Sequence, residues 1–375
     1  MPIYKTKKKN KEGKYQYRVC VNYTDLHGNY KQKNKYVYGS AEAKEAESKL
    51  LISIQQGENA SKKTVQALFD EYISVKKLEV RETSLAKTQS ILRREVLPKF
   101  KNVAIDKLTV PILQEWKTEI NDKNLSLTTK RNIYGEFRAL INYAVRMEYI
   151  PRNMLNLVGG FKEVYFEKPQ DKIQFYTAEQ FQRFIKQAKE QATSLSGWGY
   201  YVFFCIAFYT GMRKGEINAL KWSDIEGNII HIRRSVAQKV NGKSIIETPP
   251  KNKTSYRDIQ MPQQLIKILD QHQALHRKQK GYTDNYRVCG GVSCISDTAL
   301  SNKNKEFAKL AGLEPIRIHD FRHSHASLLV NNSINIQEVA KRLGHSKVEI
   351  TWNTYSHLYP KEEERALAVL ESVKI

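Results

Sequence analysis

The sequence predicts a multidomain protein. A small α+β N-terminal domain (a three-stranded sheet plus one helix) precedes an all-α middle domain, and a mostly α C-terminal domain holds a small antiparallel sheet. Three observations carry this reading. A chain of 375 residues is too long for one compact core, while its 41% hydrophobic residues suffice for several. Apolar residues alternate with a period of two near the N-terminus and again, in short runs, between residues 229 and 261. Elsewhere they recur at helical spacing.

Residues 1–57 form the first unit. Tyr15-Gln16-Tyr17-Arg18-Val19-Cys20-Val21 alternates as a strand does, Asp25 to Asn29 reads as a turn, and Tyr30 to Val37 returns as a second or third strand. Ala41 to Gln56 is helical, begun by Ser40. A polar linker to Lys63 leads into residues 64–158, read as four or five short helices. Thr64 caps the first, Thr83 to Val96 is the second, Pro111 opens another at its first turn, and Ser126 to Glu148 is the longest. A second linker, 159–171, precedes the last domain, 172–375. There Thr177 starts a helix, Tyr200 to Thr210 is a buried aromatic helix, and residues 229–234, 244–248 and 255–261 are strands of one small sheet. Pro360 to Ile375 is helical, with an apolar face suited to a neighbouring protomer.

The formal charge is +23, and the first 35 residues carry ten Lys/Arg against two acids. So one-sided an excess points to a polyanion, most economically nucleic acid. Arg18, Lys31, Lys33 and Lys35 on the N-terminal strands are candidate DNA contacts, as are Lys130, Arg131 and Arg138 on the long helix. Singly, each reads as ordinary wet surface. No apolar run spans a bilayer, and the N-terminus lacks the apolar core of a signal peptide, so a cytoplasmic protein is expected. The four cysteines do not make a zinc pattern, and no metal or cofactor is expected.

The chemistry-bearing residues lie in ordered boxes. Thr210-Gly211-Met212-Arg213-Lys214-Gly215-Glu216 puts an arginine at a helix start, with glycines for a tight bend and a glutamate to hold the guanidinium. Pro250-Lys251-Asn252-Lys253-Thr254-Ser255-Tyr256-Arg257 is a polar turn between strands. His319-Asp320-Phe321-Arg322, Leu343-Gly344-His345 and Thr354-Tyr355-Ser356-His357 follow. Guanidiniums and imidazoles suit phosphate oxygens, and a phenol attacks phosphorus once deprotonated. Each residue has a blander reading. His319, His323 and His325 are also core, cap, surface or metal-binding histidines, although no glutamate accompanies them as in His-Glu-x-x-His. Tyr355 is one of 21 tyrosines.

Together these boxes resemble the tyrosine recombinase (phage integrase) family over residues 172–375. The helical segment is similar to that family's core-binding, SAM-like domain. The N-terminal sheet resembles the arm-site-binding domain of integrases from phages and conjugative transposons. The resemblance implies that Tyr355 attacks the scissile phosphorus, leaving a 3′-phosphotyrosyl bond. Arg213 and Arg322 would clamp the phosphate, His345 would hydrogen-bond it, and His319 would assist deprotonation of the tyrosine or bond the phosphate. Lys251 would protonate the departing 5′ oxygen, with Lys253 close enough to compete. It further implies double-stranded DNA with core and arm attachment sites, a homo-tetramer on DNA, and a possible excisionase and host DNA-bending protein. The alternatives are a resolvase or invertase with the same chemistry, a monomeric type IB topoisomerase, and a catalytically silent DNA-binding regulator on the same fold.

Overall fold

A computed structural model describes residues 3–24, 30–55, 63–162, 174–240, 243–250 and 253–358. The turn expected at Asp25 to Asn29, parts of both linkers, Lys251 and the C-terminal helix lie outside them. The chain forms two compact units, Met1–Glu167 and Lys168–Ile375.

The first unit opens with an antiparallel sheet of β1 (Ile3–Lys9), β2 (Tyr15–Thr24) and β3 (Tyr30–Tyr38), backed by α1 (Ser40–Gln55). Val19, Ala43 and Ala46 form its small core, with Tyr17 and Val37 packed against them. The register decides which side chains share a face. Arg18 lies opposite Tyr4 and Tyr36, whereas Val19 and Val21 lie opposite Lys35 and Lys33, and Tyr23 opposite Lys31. Because neighbouring residues alternate, Arg18 belongs to the open face, with Tyr4 and Tyr36 both exposed. Lys31, Lys33 and Lys35 instead share the face that α1 covers. The four candidate DNA contacts on these strands therefore divide between two faces.

The helices that follow are α2 (Val65–Glu79), α3 (Glu82–Glu95), α4 (Leu97–Phe100), α5 (Val110–Asp122), α6 (Leu127–Arg146) and α7 (Leu155–Val158). Thr64 and Ser126 cap α2 and α6 by accepting from the amides of Ala67 and Thr129, and Pro111 sits in the first turn of α5. Phe100 stacks on Phe137, and Trp116 meets Phe137 edge-on, in a core separate from that of the sheet.

In the second unit a capping box at Thr177 starts α8 (Ala178–Glu190), and α9 (Leu195–Thr210) runs through the core, apolar on every side. Around α9 lie α10 (Lys214–Ala219), α11 (Gln263–Arg277), α12 (Asp297–Leu310) and α13 (Asp320–Asn331), then α14 (Ile336–Leu343) and α15 (Val348–Tyr355). The strands form two sheets rather than the expected one. β4 (Ile225–Glu226), β5 (Ile229–Ile232) and β8 (Arg257–Gln260) make one sheet, and β6 (Ser235–Val240) with β7 (Lys243–Thr248) makes a separate hairpin. The chain breaks after Ile232 into β6, a strand outside the expected three; β7, the expected strand at 244–248, pairs with it, which leaves β5 to β8. Among the described residues no helix is long and apolar enough to cross a membrane, and no group of three or more His, Cys, Asp or Glu could hold a metal ion.

Candidate active site

Five of the six expected site residues converge in the second unit. Gly211 ends α9 in the left-handed conformation (φ 64°), and Arg213 caps α10. Glu216 then fixes Arg213 twice: its Oε2 accepts from the Arg213 amide and its Oε1 from Nη1, each at 2.9 Å. The same carboxylate takes both terminal nitrogens of the buried Arg257, at 3.2 and 2.9 Å. Burial alone would raise the Glu216 pKa. The Arg257 charge and hydrogen bonds, helped by Arg213, outweigh it and hold the carboxylate below its ordinary range. Gly215 serves a different purpose from the bend expected of it. It lies inside α10, where a Cβ would fall 2.7 Å from the Val236 carbonyl, so its bare backbone lets the helix meet β6.

Arg322 comes from the first turn of α13 and is only 3% exposed. Its Nη1 donates to the Gly211 carbonyl and its Nη2 to the Leu343 carbonyl, both at 2.7 Å. Arg213 Nη2 donates to the next carbonyl along, Gly344, at 3.4 Å. Two guanidiniums distant in sequence thus rest on consecutive carbonyls at the end of α14, where the helix dipole is negative. Gly344 makes this possible. It is left-handed (φ 68°), and a Cβ there would crowd Arg257 Nη1 at 3.0 Å and the Thr254 carbonyl at 3.1 Å. Burial and the charges of Arg213 and Arg257 lower the Arg322 pKa to about 9, leaving it cationic near neutrality.

His345 follows directly, its Nδ1 2.8 Å from Thr351 Oγ1. Burial, then the charges of Arg322, Arg213 and Arg257, lower its pKa to about 4. His319, at the start of α13, is likewise lowered to about 4, by desolvation, then His323 and Arg322. Both imidazoles are neutral at pH 7 and can donate or accept a hydrogen bond. Tyr355 ends α15 and is 1% exposed, packed among Ala326, Val330, Val339 and Leu343. Burial raises its pKa to about 12, partly offset by the Arg322 charge. Its hydroxyl lies 2.6 Å from Nδ1 of His323. Lys251 is outside the described residues. The short turn Lys253–Ser255 is described, and its Thr254 carbonyl beside Gly344 puts the backbone of that turn against the arginine cluster.

Three of the basic residues expected to touch DNA lie on α6. Lys130 Nζ donates to the Asn121 carbonyl at 2.6 Å, Arg131 Nε to the Phe161 carbonyl at 3.1 Å, and Arg138 Nε to Asn156 Oδ1 at 2.9 Å. Sequence reasoning gave no part to Arg257 beyond its place in a motif, and none to His323. Only its four-residue spacing from His319 stood out, and that suggested a metal ligand or cap.

The phage integrase family model matches residues 174–362, just over half of the chain. The chain belongs to the phage integrase family. It is a tyrosine-type site-specific recombinase, and the phage integrase N-terminal SAM-like domain matches residues 64–120 of it. The ICEBs1 integrase of Bacillus subtilis is 25% identical over 98% of this chain and 99% of its own length. A XerC-like tyrosine recombinase of Caldanaerobacter subterraneus is 27% identical over 97% and 98%. Among solved structures, the Tn1549 transposon integrase in complex with transposon right end DNA matches with a TM-score of 0.64 at 18% identity. It covers 83% of this chain and all of that one. A lambda integrase tetramer bound to a Holliday junction matches with a TM-score of 0.56 at 16% identity over 94% of each chain. These likenesses establish the recombinase fold.

Proposed function

We propose that this recombinase integrates and excises a mobile DNA element, with Tyr355 as nucleophile. The observation that carries the reading is the pair of guanidiniums on the Leu343 and Gly344 carbonyls, beside His345, with Arg322 also in electrostatic contact with Tyr355. In-line attack by Tyr355 would leave a 3′-phosphotyrosyl bond and a free 5′ hydroxyl. Arg213 and Arg322 would neutralise the non-bridging oxygens as charge builds in the five-coordinate transition state. His345 and His319 would hydrogen-bond the same phosphate. A lysine of the 251–253 turn, Lys251 in our assignment, would protonate the leaving oxygen. The phosphotyrosyl bond conserves energy, so a 5′ hydroxyl from a partner duplex can reverse the step without ATP.

Relatives named as integrases of phages and integrative elements support integration over resolution or inversion. In this reading residues 1–57 hold arm sites, 64–158 hold core sites and 172–375 do the chemistry. Four copies act on DNA in the cytoplasm, with an excisionase and a host bending protein as accessory factors. A nicked suicide DNA carrying the crossover site tests the chemistry: the full chain forms a covalent adduct and Tyr355→Phe does not. No adduct with the wild type would favour the silent regulator.

A further inference from the structure

We propose that His323 is the base that receives the phenolic proton of Tyr355 during strand cleavage, the task first given to His319. The proposal rests on the reading of Tyr355 as nucleophile and deepens it.

A general base has to lie within hydrogen-bond reach of the proton it takes. His323 Nδ1 is 2.6 Å from Tyr355 Oη. The two rings are 5.7 Å apart between centroids and tilted by 53°, so they meet at their polar tips rather than by stacking. Among the described residues the hydroxyl makes this hydrogen bond and none to His319, whose ring stands perpendicular to that of His323 at 5.2 Å. The contact is also held in place. Tyr355 packs against Ala326 and Val330, which lie on the same face of α13 as His323. The phenol therefore runs along that face, and the imidazole meets its end.

The surroundings suit a proton acceptor. Burial lowers the His323 pKa, which leaves the ring neutral and able to accept at pH 7. Tyr355 is raised to about 12, so release of its proton to water is strongly disfavoured near neutrality. Asp320, one turn earlier on α13 and closed to water, pulls the His323 pKa back up against the charges of Arg317 and Arg322, and would stabilise the imidazolium once formed. Arg317 fixes that carboxylate through its amide at 2.9 Å and its guanidinium at 2.9–3.2 Å.

The step balances. The Tyr355 Oη–P bond forms as its proton passes to His323 Nδ1, the P–O5′ bond breaks, and O5′ takes a proton from the lysine acid. In religation the 5′ hydroxyl attacks phosphorus and gives its proton back to the lysine, the P–Oη bond breaks, and the imidazolium returns its proton to the phenol.

The test is single-turnover adduct formation by the full chain on the nicked DNA, comparing wild type, His323→Ala and His323→Gln. The glutamine carbonyl accepts a hydrogen bond but does not hold a proton. Both variants should bind DNA as the wild type does and react about 10²- to 10⁴-fold more slowly. Added imidazole should restore His323→Ala, and more basic imidazoles should restore it further at equal free-base concentration. A wild-type rate in His323→Gln would reduce the contact to positioning and overturn the proposal. So would an unchanged or faster rate in His323→Ala, which would make the bond a resting latch, or a complete lack of imidazole rescue. If His323→Ala does not fold, the glutamine variant decides. An adduct that survives Tyr355→Phe sinks the nucleophile and this proposal together. An adduct lost in Tyr355→Phe but formed at full rate by His323→Gln sinks the proposal alone.

Discussion

Glu216 and Arg257 form a closed, two-pronged ion pair, with terminal nitrogens 3.2 and 2.9 Å from the two carboxylate oxygens and both side chains largely shut off from water. The same carboxylate also carries Arg213, so one buried anion sets the position of a guanidinium proposed to touch phosphate. Removing it strands two cations. Glu216→Ala is expected to lower stability by about 3–5 kcal/mol, as for loss of one member of a buried pair. Urea unfolding measures this. A loss below about 1 kcal/mol would show that water reaches the pair in solution.

Gly344 carries a second prediction. Alanine in its left-handed conformation costs about 1–2 kcal/mol before crowding is counted. The Cβ would also push on Arg257 Nη1 and the Thr254 carbonyl. Gly344→Ala should therefore lose stability and slow adduct formation by about tenfold or more, since both arginines are anchored at this turn. Retention of full cleavage activity would contradict the anchoring role.

Stability should fall on mild acidification. The folded pKa of His272 is lowered to about 4 and that of His325 to about 3, burial being the main cause in each. The tautomer of His325 is set by its partners: Nδ1–H donates to the Phe208 carbonyl and Nε2 accepts from Arg342. A base whose pKa is lower folded than unfolded binds more protons when unfolded. Its contribution is complete above the unfolded value of about 6.5 and is lost as pH falls towards the folded values. Glu216 adds a loss below about 4.5. Denaturant midpoints at pH 7.5 and pH 5 test the histidines, and equal midpoints would refute them as the cause.

Lys251 and Lys253 separate by leaving-group chemistry. A 5′-bridging thiolate departs without an acid. Lys251→Ala is expected to be slow on the ordinary substrate and restored by the sulfur substitution, while Lys253→Ala is little affected by either. Restoration seen only for Lys253→Ala would reverse the assignment.

The N-terminal sheet predicts a contrast between its faces. Arg18→Ala, on the open face beside Tyr36, should weaken arm-site binding and reduce the salt dependence by about one unit of slope. Lys33→Ala, on the face that α1 covers, should change the slope less. Gel shifts across a salt series would show the difference or its absence.

Much was legible in the chain itself. Local chemistry marks Thr64 and Thr177 as caps and Pro111 as a helix opener, and the structure uses each as such. The two sheets of the second unit were not legible as two, since strand pairing depends on which neighbour each run meets.

Periodicity, caps, charge and ordered boxes determined the helices, the N-terminal sheet, the basic character and the family, because these are properties of residues close in sequence. The tertiary structure alone decided that one glutamate holds both Arg213 and Arg257, that consecutive carbonyls seat Arg213 and Arg322, and that Tyr355 meets His323 rather than His319. Those contacts join residues up to 131 positions apart. Their strength comes from burial, which raises the cost of an unpaired charge or hydroxyl and appears only once the chain has folded.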